Sequence, residues 1–233
     1  MKKLLFVILF VPVAALAAST GYRLDASPHD LRDQVSLQSG ARTYVNYCLG
    51  CHGVQFMRYN DLTAFGLAEA QIKDNLMFTA DKVGEPIKAS GFELKQAKAW
   101  FGVAPPDLSV IARSRGADWL YTYLRTFYRD PKTVTGWNNA VYPNVAMPHA
   151  LWTLQGERGW DEKEHKLTEI SKGTHSPTEY DAAVRDLVNF LVYVGEPAAT
   201  SRKGIGIVVL FVLLGVLLPL TYWLKKEFWK DVK

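Results

Sequence analysis

The chain has 233 residues, 48% of them hydrophobic, and a formal net charge of +4 at pH 7. That positive charge belongs to the two ends, which hold eight of the 27 basic residues and two of the 23 acidic ones. The body of about 185 residues between them, a length that fits one domain, is therefore close to −2. This balance argues against a nucleic-acid-binding protein and permits a basic soluble partner, which electrostatic attraction would steer to the surface.

The N-terminus has the pattern of an export signal. Two lysines precede an apolar run over 4–16, and a small-x-small pattern follows that ends at Ala17. The segment lacks the Arg- and Ser-rich amphipathic pattern of a mitochondrial transit peptide, so a bacterial Sec-type signal is predicted. We expect a signal peptide over 1–17, cleaved after Ala17 or Ala18, and an exported periplasmic domain over 18–201.

A CxxCH motif, Cys48-Leu49-Gly50-Cys51-His52, is the attachment signature of a c-type haem. Each thiol can bond one vinyl group of the porphyrin, and the histidine can supply an axial nitrogen to the iron. Because the chain has only two cysteines, a four-cysteine zinc site is excluded. The alternative is an exported thioredoxin-like dithiol, but that fold requires an apolar strand before its CxxC, whereas 38–47 has helical spacing. We therefore expect one covalent haem c on Cys48 and Cys51, with His52 as an iron ligand.

Three segments of the body have the periodicity of amphipathic helices. The first ends at Cys48, and the second covers 118–128, where Asp130-Pro131 is expected to stop it. The third begins with a capping box at Ser176 and is expected to end at Gly195. Helices packed around a haem are typical of small c-type cytochromes.

Two long stretches, 63–106 and 132–174, contain turn-forming residues and few periodic runs, so they are predicted to be loop insertions. Near the C-terminus, the 21 residues of 204–224 carry no charge and would span roughly 31 Å as a helix, enough to cross a membrane. The predicted fold is mainly α: a c-type cytochrome domain with long loop insertions and one C-terminal transmembrane helix. We expect an anchor over 202–224 in the bacterial inner membrane and a cytoplasmic tail over 225–233.

The sequence leaves several candidates for the sixth iron ligand. Met57 lies only five residues beyond His52, which makes the opposite face of the porphyrin difficult to reach, and Met77 lies in a plausible helix, where a core position is expected. Met147 lies in a proline-stiffened loop far from His52, which favours it as the ligand. His149, Met77 or an open position are the alternatives. His/Met ligation favours electron transfer at high potential, whereas an open position would favour ligand binding or catalysis.

Together these features resemble the cytochrome c1 family, which supplies the haem c subunit of the respiratory cytochrome bc1 complex (ubiquinol–cytochrome c reductase). The segments that carry the local resemblance are 47–52, 57–62, 105–109, 113–115, 188–191 and 196–197. The resemblance covers nearly the whole mature chain. One departure lies at 100–104, Trp-Phe-Gly-Val-Ala, where the family usually has an Asn-Gly pair.

The resemblance implies roles for individual residues. Cys48 and Cys51 would form the thioethers, and His52 and Met147 would be the axial iron ligands. Four residues would belong to the haem pocket: Pro106, Arg115, Tyr44 and Trp119. Of these, Pro106 would accept the imidazole proton through its carbonyl, and Arg115 would pair with a haem propionate. Further candidate pocket walls are Tyr47, Phe101, Tyr123 and Trp152.

The resemblance also implies a function without catalysis by this chain alone. The haem would accept one electron from the Rieske iron–sulfur subunit and pass it to a c-type cytochrome, while the anchor would pack on cytochrome b in a dimeric complex. One alternative is a membrane-anchored monohaem cytochrome that serves another redox complex. A second is a haem enzyme or gas sensor with an exchangeable distal ligand.

Overall fold

A computed structural model of the chain describes residues 22–91 and 94–231. The helices are α1 (Gln34–Tyr47), α2 (Glu69–Asn75), α3 (Leu94–Phe101), α4 (Ile111–Arg115), α5 (Ala117–Arg125), α6 (Trp152–Gln155), α7 (Pro177–Gly195) and α8 (Ala199–Phe228), with a 3-10 helix at Tyr59–Phe65. Six short strands in the described ranges form three antiparallel pairs. They are β1 (Val54–Arg58) with β2 (Pro86–Ile87), β3 (Phe127–Arg129) with β4 (Trp137–Asn139), and β5 (Gly156–Asp161) with β6 (Lys166–Lys172). The predicted signal peptide, 1–17, lies outside the described residues.

The core of the domain is built on the pairing of α1 with α7. Apolar residues of both helices are buried where they meet, among them Leu37, Tyr44, Leu187 and Phe190. The helices approach closely at Gly40, where an added Cβ would lie 2.0 Å from the backbone oxygen of Asp186. Because Gly40 has no side chain, the two helices can pack at this short distance.

The start of α7 confirms the predicted capping box. The Ser176 hydroxyl accepts from the Glu179 amide at 3.4 Å, and the Glu179 carboxylate accepts from the Ser176 amide at 2.8 Å. Pro177 occupies the first helical position, where no amide hydrogen is needed, and the helix ends at Gly195 as predicted. α7 then spans the domain and gives α1 a surface on which to pack.

Two expectations about secondary structure were wrong. The second helix, expected over 118–128, ends at Arg125, and Phe127–Arg129 is a strand instead, because it pairs with Trp137–Asn139. The stretches 63–106 and 132–174 are not simple loops, since they contain short helices and strands. Their strands are short, and most residues of β5 and β6 are at least partly exposed, so no alternation of apolar residues marks them in the sequence. The fold class itself, mainly α with one C-terminal apolar helix, is confirmed.

The last helix, α8, has 30 residues and is long and apolar enough to cross a membrane. It includes the expected anchor and extends it at both ends. The segment Val212–Leu217 is π-helical. Pro219 follows this segment and has no amide hydrogen to donate to the preceding turn, which explains why the α-helical hydrogen-bond pattern is interrupted here.

Candidate haem-binding site

The CxxCH motif forms a tight turn at the end of α1. The Cys48 carbonyl accepts hydrogen bonds from the amides of Cys51, at 2.9 Å, and His52, at 2.8 Å. Both cysteines are free thiols, Cys48 half-buried and Cys51 exposed. The turn therefore places two free thiols and an imidazole close together in space, as attachment of a c-type haem requires.

The first of the two predicted insertions, 63–106, forms hydrogen bonds with the backbone of this turn. The Gly91 amide donates to the Gly50 carbonyl at 2.8 Å, and the Ser90 amide donates to the Leu49 carbonyl at 3.3 Å. A Cβ at Gly91 would lie 2.2 Å from the Gly50 oxygen, so this contact requires glycine. One role of the insertion is thus to hold the backbone of the CxxCH turn.

The thiols lack the properties of a redox-active dithiol. Burial, with a contribution from the neighbouring Cys51, raises the pKa of the Cys48 thiol to about 12. Burial also raises the pKa of Cys51. Thioredoxin-like enzymes need a lowered pKa at the attacking cysteine, because the thiolate is the nucleophile. Together with the preceding helix, this argues against the dithiol alternative.

His52 is oriented so that one ring nitrogen remains available. Its Nδ1 lies 2.7 Å from the Pro106 carbonyl oxygen, to which it can only donate, and Nε2 is then the lone-pair nitrogen. Burial lowers the pKa of His52, against opposing effects of the Pro106 hydrogen bond and the Asp107 charge, and this favours the neutral ring, the form in which an imidazole can bind a metal. The buried Tyr44 hydroxyl donates to the His52 carbonyl at 2.5 Å. The structure thus brings Tyr44 and Pro106 to His52.

The loop that carries Met147 is organised by two buried asparagines. Asn138 Oδ1 accepts from the Asn144 amide at 2.8 Å, and Asn139 Oδ1 accepts from the Val141 amide at 2.9 Å. Asn144 has a φ of 60°, a conformation that asparagine tolerates better than most residues. Met147 is half-buried and packs against the hydrophobic core. The two asparagines were not among the predicted site residues, although an Asn-Asn pair directly before a proline-containing loop is the signal that could have identified them.

His149, an alternative iron ligand, is held in the interior. It is 2% exposed, and its ring stacks on Phe127 with centroids 4.8 Å apart. Its Nε2 lies 2.7 Å from Gln155 Oε1, and the Gln155 amide nitrogen donates to the Arg125 carbonyl at 2.9 Å. Burial lowers the pKa of His149 to about 4. The ring therefore anchors the segment after Met147 and is engaged with protein groups.

The other two methionines among the described residues pack in the core. Met57 is 3% exposed within β1, and Met77, which follows α2, packs partly buried against the same cluster. The packing of Met77 agrees with the core role expected for it, although Met77 follows α2 instead of lying within a helix.

A second group of predicted pocket residues is connected to Met147 through Tyr123. The Trp119 ring stacks on Tyr123 with centroids 4.7 Å apart, and the Tyr123 hydroxyl donates to the Met147 sulfur at 3.4 Å. The exposed Arg115 guanidinium lies 5.2 Å from the Trp119 ring centroid and 5.7 Å from that of Tyr142. Tyr142, which also meets the Trp119 ring, was not among the predicted pocket residues.

The remaining wall candidates lie on three different helices. Tyr47 packs partly buried against the core beside Cys48, Phe101 ends α3, and Trp152 begins α6 with 47% of its surface exposed. The structure places two free thiols and an imidazole at the CxxCH turn, and a thioether on the Met147 loop. This set fits a covalently attached haem with His/Met ligation.

Comparison with known proteins agrees with this site. The model of the cytochrome c1 family matches residues 26–232. A cytochrome c1 of Allochromatium vinosum is 44% identical over the full length of both chains, and one of Rhodospirillum rubrum is 29% identical over 86% of this chain and 83% of its own. A Nitrosomonas europaea protein named ammonia monooxygenase gamma subunit is 49% identical over 99% of this chain and 98% of its own. The chain therefore belongs to the cytochrome c1 family, the electron-transfer subunits of the cytochrome bc1 complex that carry one covalent haem c.

Proposed function

We propose that this chain receives one electron from the Rieske iron–sulfur subunit on a haem attached to Cys48 and Cys51, and passes it to a c-type cytochrome. The observation that carries the proposal is the hydrogen bond between His52 and the Pro106 carbonyl, next to two free thiols. It leaves Nε2 as the nitrogen that can bind iron, and such outer-sphere hydrogen bonds fix the orientation of a ligating ring. The bound haem supplies a one-electron iron couple.

In this proposal each side chain has a defined task. Cys48 and Cys51 would hold the porphyrin, and His52 and Met147 would bind the iron; a thioether ligand would raise the reduction potential above that of a site without one. Pro106 orients His52, and Arg115 would pair with a propionate. Tyr44 and Trp119 complete the pocket walls, Tyr44 by holding the backbone of His52 and Trp119 by packing beside Tyr123.

The proposed topology has the haem domain, 18–201, in the periplasm after removal of the signal, 1–17. The anchor, 202–224, crosses the inner membrane once, and the tail, 225–233, lies in the cytoplasm. The apolar helix α8 supports this arrangement, and so does the export pattern at the N-terminus. The anchor would pack on cytochrome b within a dimeric complex.

The identity of the complex can be tested by a reduced-minus-oxidised visible spectrum of the tagged chain, purified from membranes in mild detergent. We expect c and b haem bands in a fixed ratio. A c band alone would instead favour the second candidate, an anchored monohaem cytochrome that serves another redox complex. The similarity to the Nitrosomonas europaea protein named a monooxygenase subunit favours this candidate. Absence of a c band from the matured chain would contradict haem binding itself.

Haem attachment is tested by replacing both cysteines with alanine. Because the thioethers need both thiols, the C48A/C51A variant is expected to give no haem-stained band at the mass of the chain on a denaturing gel. Immunoblotting of the tag establishes that the chain is present, and the parent protein should retain its stain after acid–acetone extraction. Haem stain that persists in the double variant would refute the assignment of the two cysteines.

A further inference from the structure

We propose that Tyr123 is a positioning residue for the haem iron: its hydroxyl holds the Met147 sulfur and thereby raises the reduction potential. The inference rests on the proposed function, because it requires Met147 to be the axial ligand. It concerns a different residue and a different property, the electron-donor strength of the thioether.

The contact is a hydrogen bond from a buried hydroxyl to a sulfur. Tyr123 is 8% exposed, and its hydroxyl lies 3.4 Å from the Met147 sulfur. A buried tyrosine hydroxyl normally finds an acceptor, and a thioether is a weak one, so the pairing indicates a site built around the sulfur. A tyrosine hydroxyl is protonated at neutral pH and is therefore able to donate.

The tyrosine is held rigidly in this position. Its ring is stacked on Trp119 and meets the edge of Phe127, with centroids 5.0 Å apart at 69°. The side chain of Asn139 ties the two partners together, because its nitrogen donates to the Tyr123 carbonyl at 2.7 Å while its oxygen accepts from the loop before Met147. Donor and acceptor are thus fixed relative to each other by a buried asparagine as well as by their own bond.

The electronic effect has a definite sign. A thioether binds iron through one sulfur lone pair, and a hydrogen bond to the other withdraws electron density from the sulfur. A sulfur that donates less electron density stabilises ferric iron less. Ferrous iron is richer in electrons, so its stability decreases by a smaller amount. The hydrogen bond therefore shifts the equilibrium toward the reduced haem, and its loss should lower the potential.

The test is the Y123F variant in the detergent-solubilised complex, titrated potentiometrically at the c-haem band. Loss of one weak hydrogen bond is expected to change the equilibrium constant for reduction about threefold. For a one-electron couple this is about 28 mV, at 59 mV per tenfold change, in the downward direction. The far-red charge-transfer band of methionine-bound ferric iron should persist with a shifted maximum.

The matched control is Y180F. Tyr180 is also buried, and its hydroxyl donates at 2.7 Å to the carbonyl of Leu124, the residue after Tyr123. This variant makes the same chemical change against the same helix without touching the sulfur. It is expected to lower the melting temperature and to leave the potential unchanged.

The outcomes separate this inference from the proposed function. An unchanged potential in Y123F, with the charge-transfer band present in the parent, overturns the role of Tyr123 and leaves Met147 as the ligand. An equal fall in both variants also overturns it, since the cause would then be general loosening of α5. Absence of the band from the parent protein overturns the Met147 assignment and this inference with it.

Discussion

Replacing Met147 by alanine is expected to leave the haem covalently attached and to open its sixth iron position. Loss of the thioether removes the ligand that stabilises ferrous iron, so the potential should fall by on the order of 0.1–0.3 V, within the range over which axial ligands tune haem. The reduced variant should bind carbon monoxide rapidly, whereas the parent should not. Potentiometry and carbon monoxide difference spectra measure the two effects.

The control for this variant is M77A. Met77 is also a half-buried methionine that packs against the core. It follows α2 and lies outside the loop that carries Met147. Its replacement should cost some stability and change neither the potential nor the reaction with carbon monoxide. If M147A kept the parent spectrum and potential, Met147 would not be the ligand. Rapid binding of carbon monoxide to the parent would instead favour a gas sensor or haem enzyme.

Replacing Gly40 by alanine is expected to destabilise the domain severely. Helix propensity alone predicts the opposite, a gain of about 1 kcal/mol, because glycine is a poor helix former. The added Cβ, however, would lie 2.0 Å from the Asp186 oxygen and 2.8 Å from the Phe190 Cβ. Backbone atoms cannot move aside without separating α1 from α7, so a loss of at least about 3 kcal/mol is expected.

Thermal unfolding of the haem-loaded chain measures this effect, with G84A as the control. A Cβ at Gly84 meets nothing within 4 Å, and this substitution should leave the melting temperature nearly unchanged. A G40A melting temperature within about 2 °C of the parent would show that the helices tolerate a wider separation. Failure of G40A to accumulate, with normal accumulation of G84A, would agree with the expectation.

Local patterns in the sequence were sufficient for the features that depend on neighbouring residues. The CxxCH motif and the capping box at Ser176 are such features, because their hydrogen bonds join residues at most four positions apart. The apolar anchor was also identifiable, since it depends on length and composition alone. The expected contact between His52 and Pro106 came from family resemblance, because no local pattern joins residues so far apart.

The features that escaped prediction depend on pairing between distant segments. Strand β3 continues directly from a helical pattern, and only its pairing with β4 makes it extended. The contact of Gly91 with Gly50 joins an insertion to the CxxCH turn, and either glycine alone looks like an ordinary loop residue. The buried Asn138 and Asn139 likewise acquire their role only when the Met147 loop folds over them.

The π-helical segment Val212–Leu217 determines how the membrane helix presents its surface. An additional residue in one turn rotates everything beyond it by about 100° relative to an uninterrupted α-helix, since each residue takes up one part in 3.6 of a turn. A stripe of residues that begins near Gly204 is therefore not continued along the same side beyond Leu217. The two halves of α8 therefore present different faces. When substitutions are used to map contacts along the anchor, the residues that share a face must be assigned separately for each half.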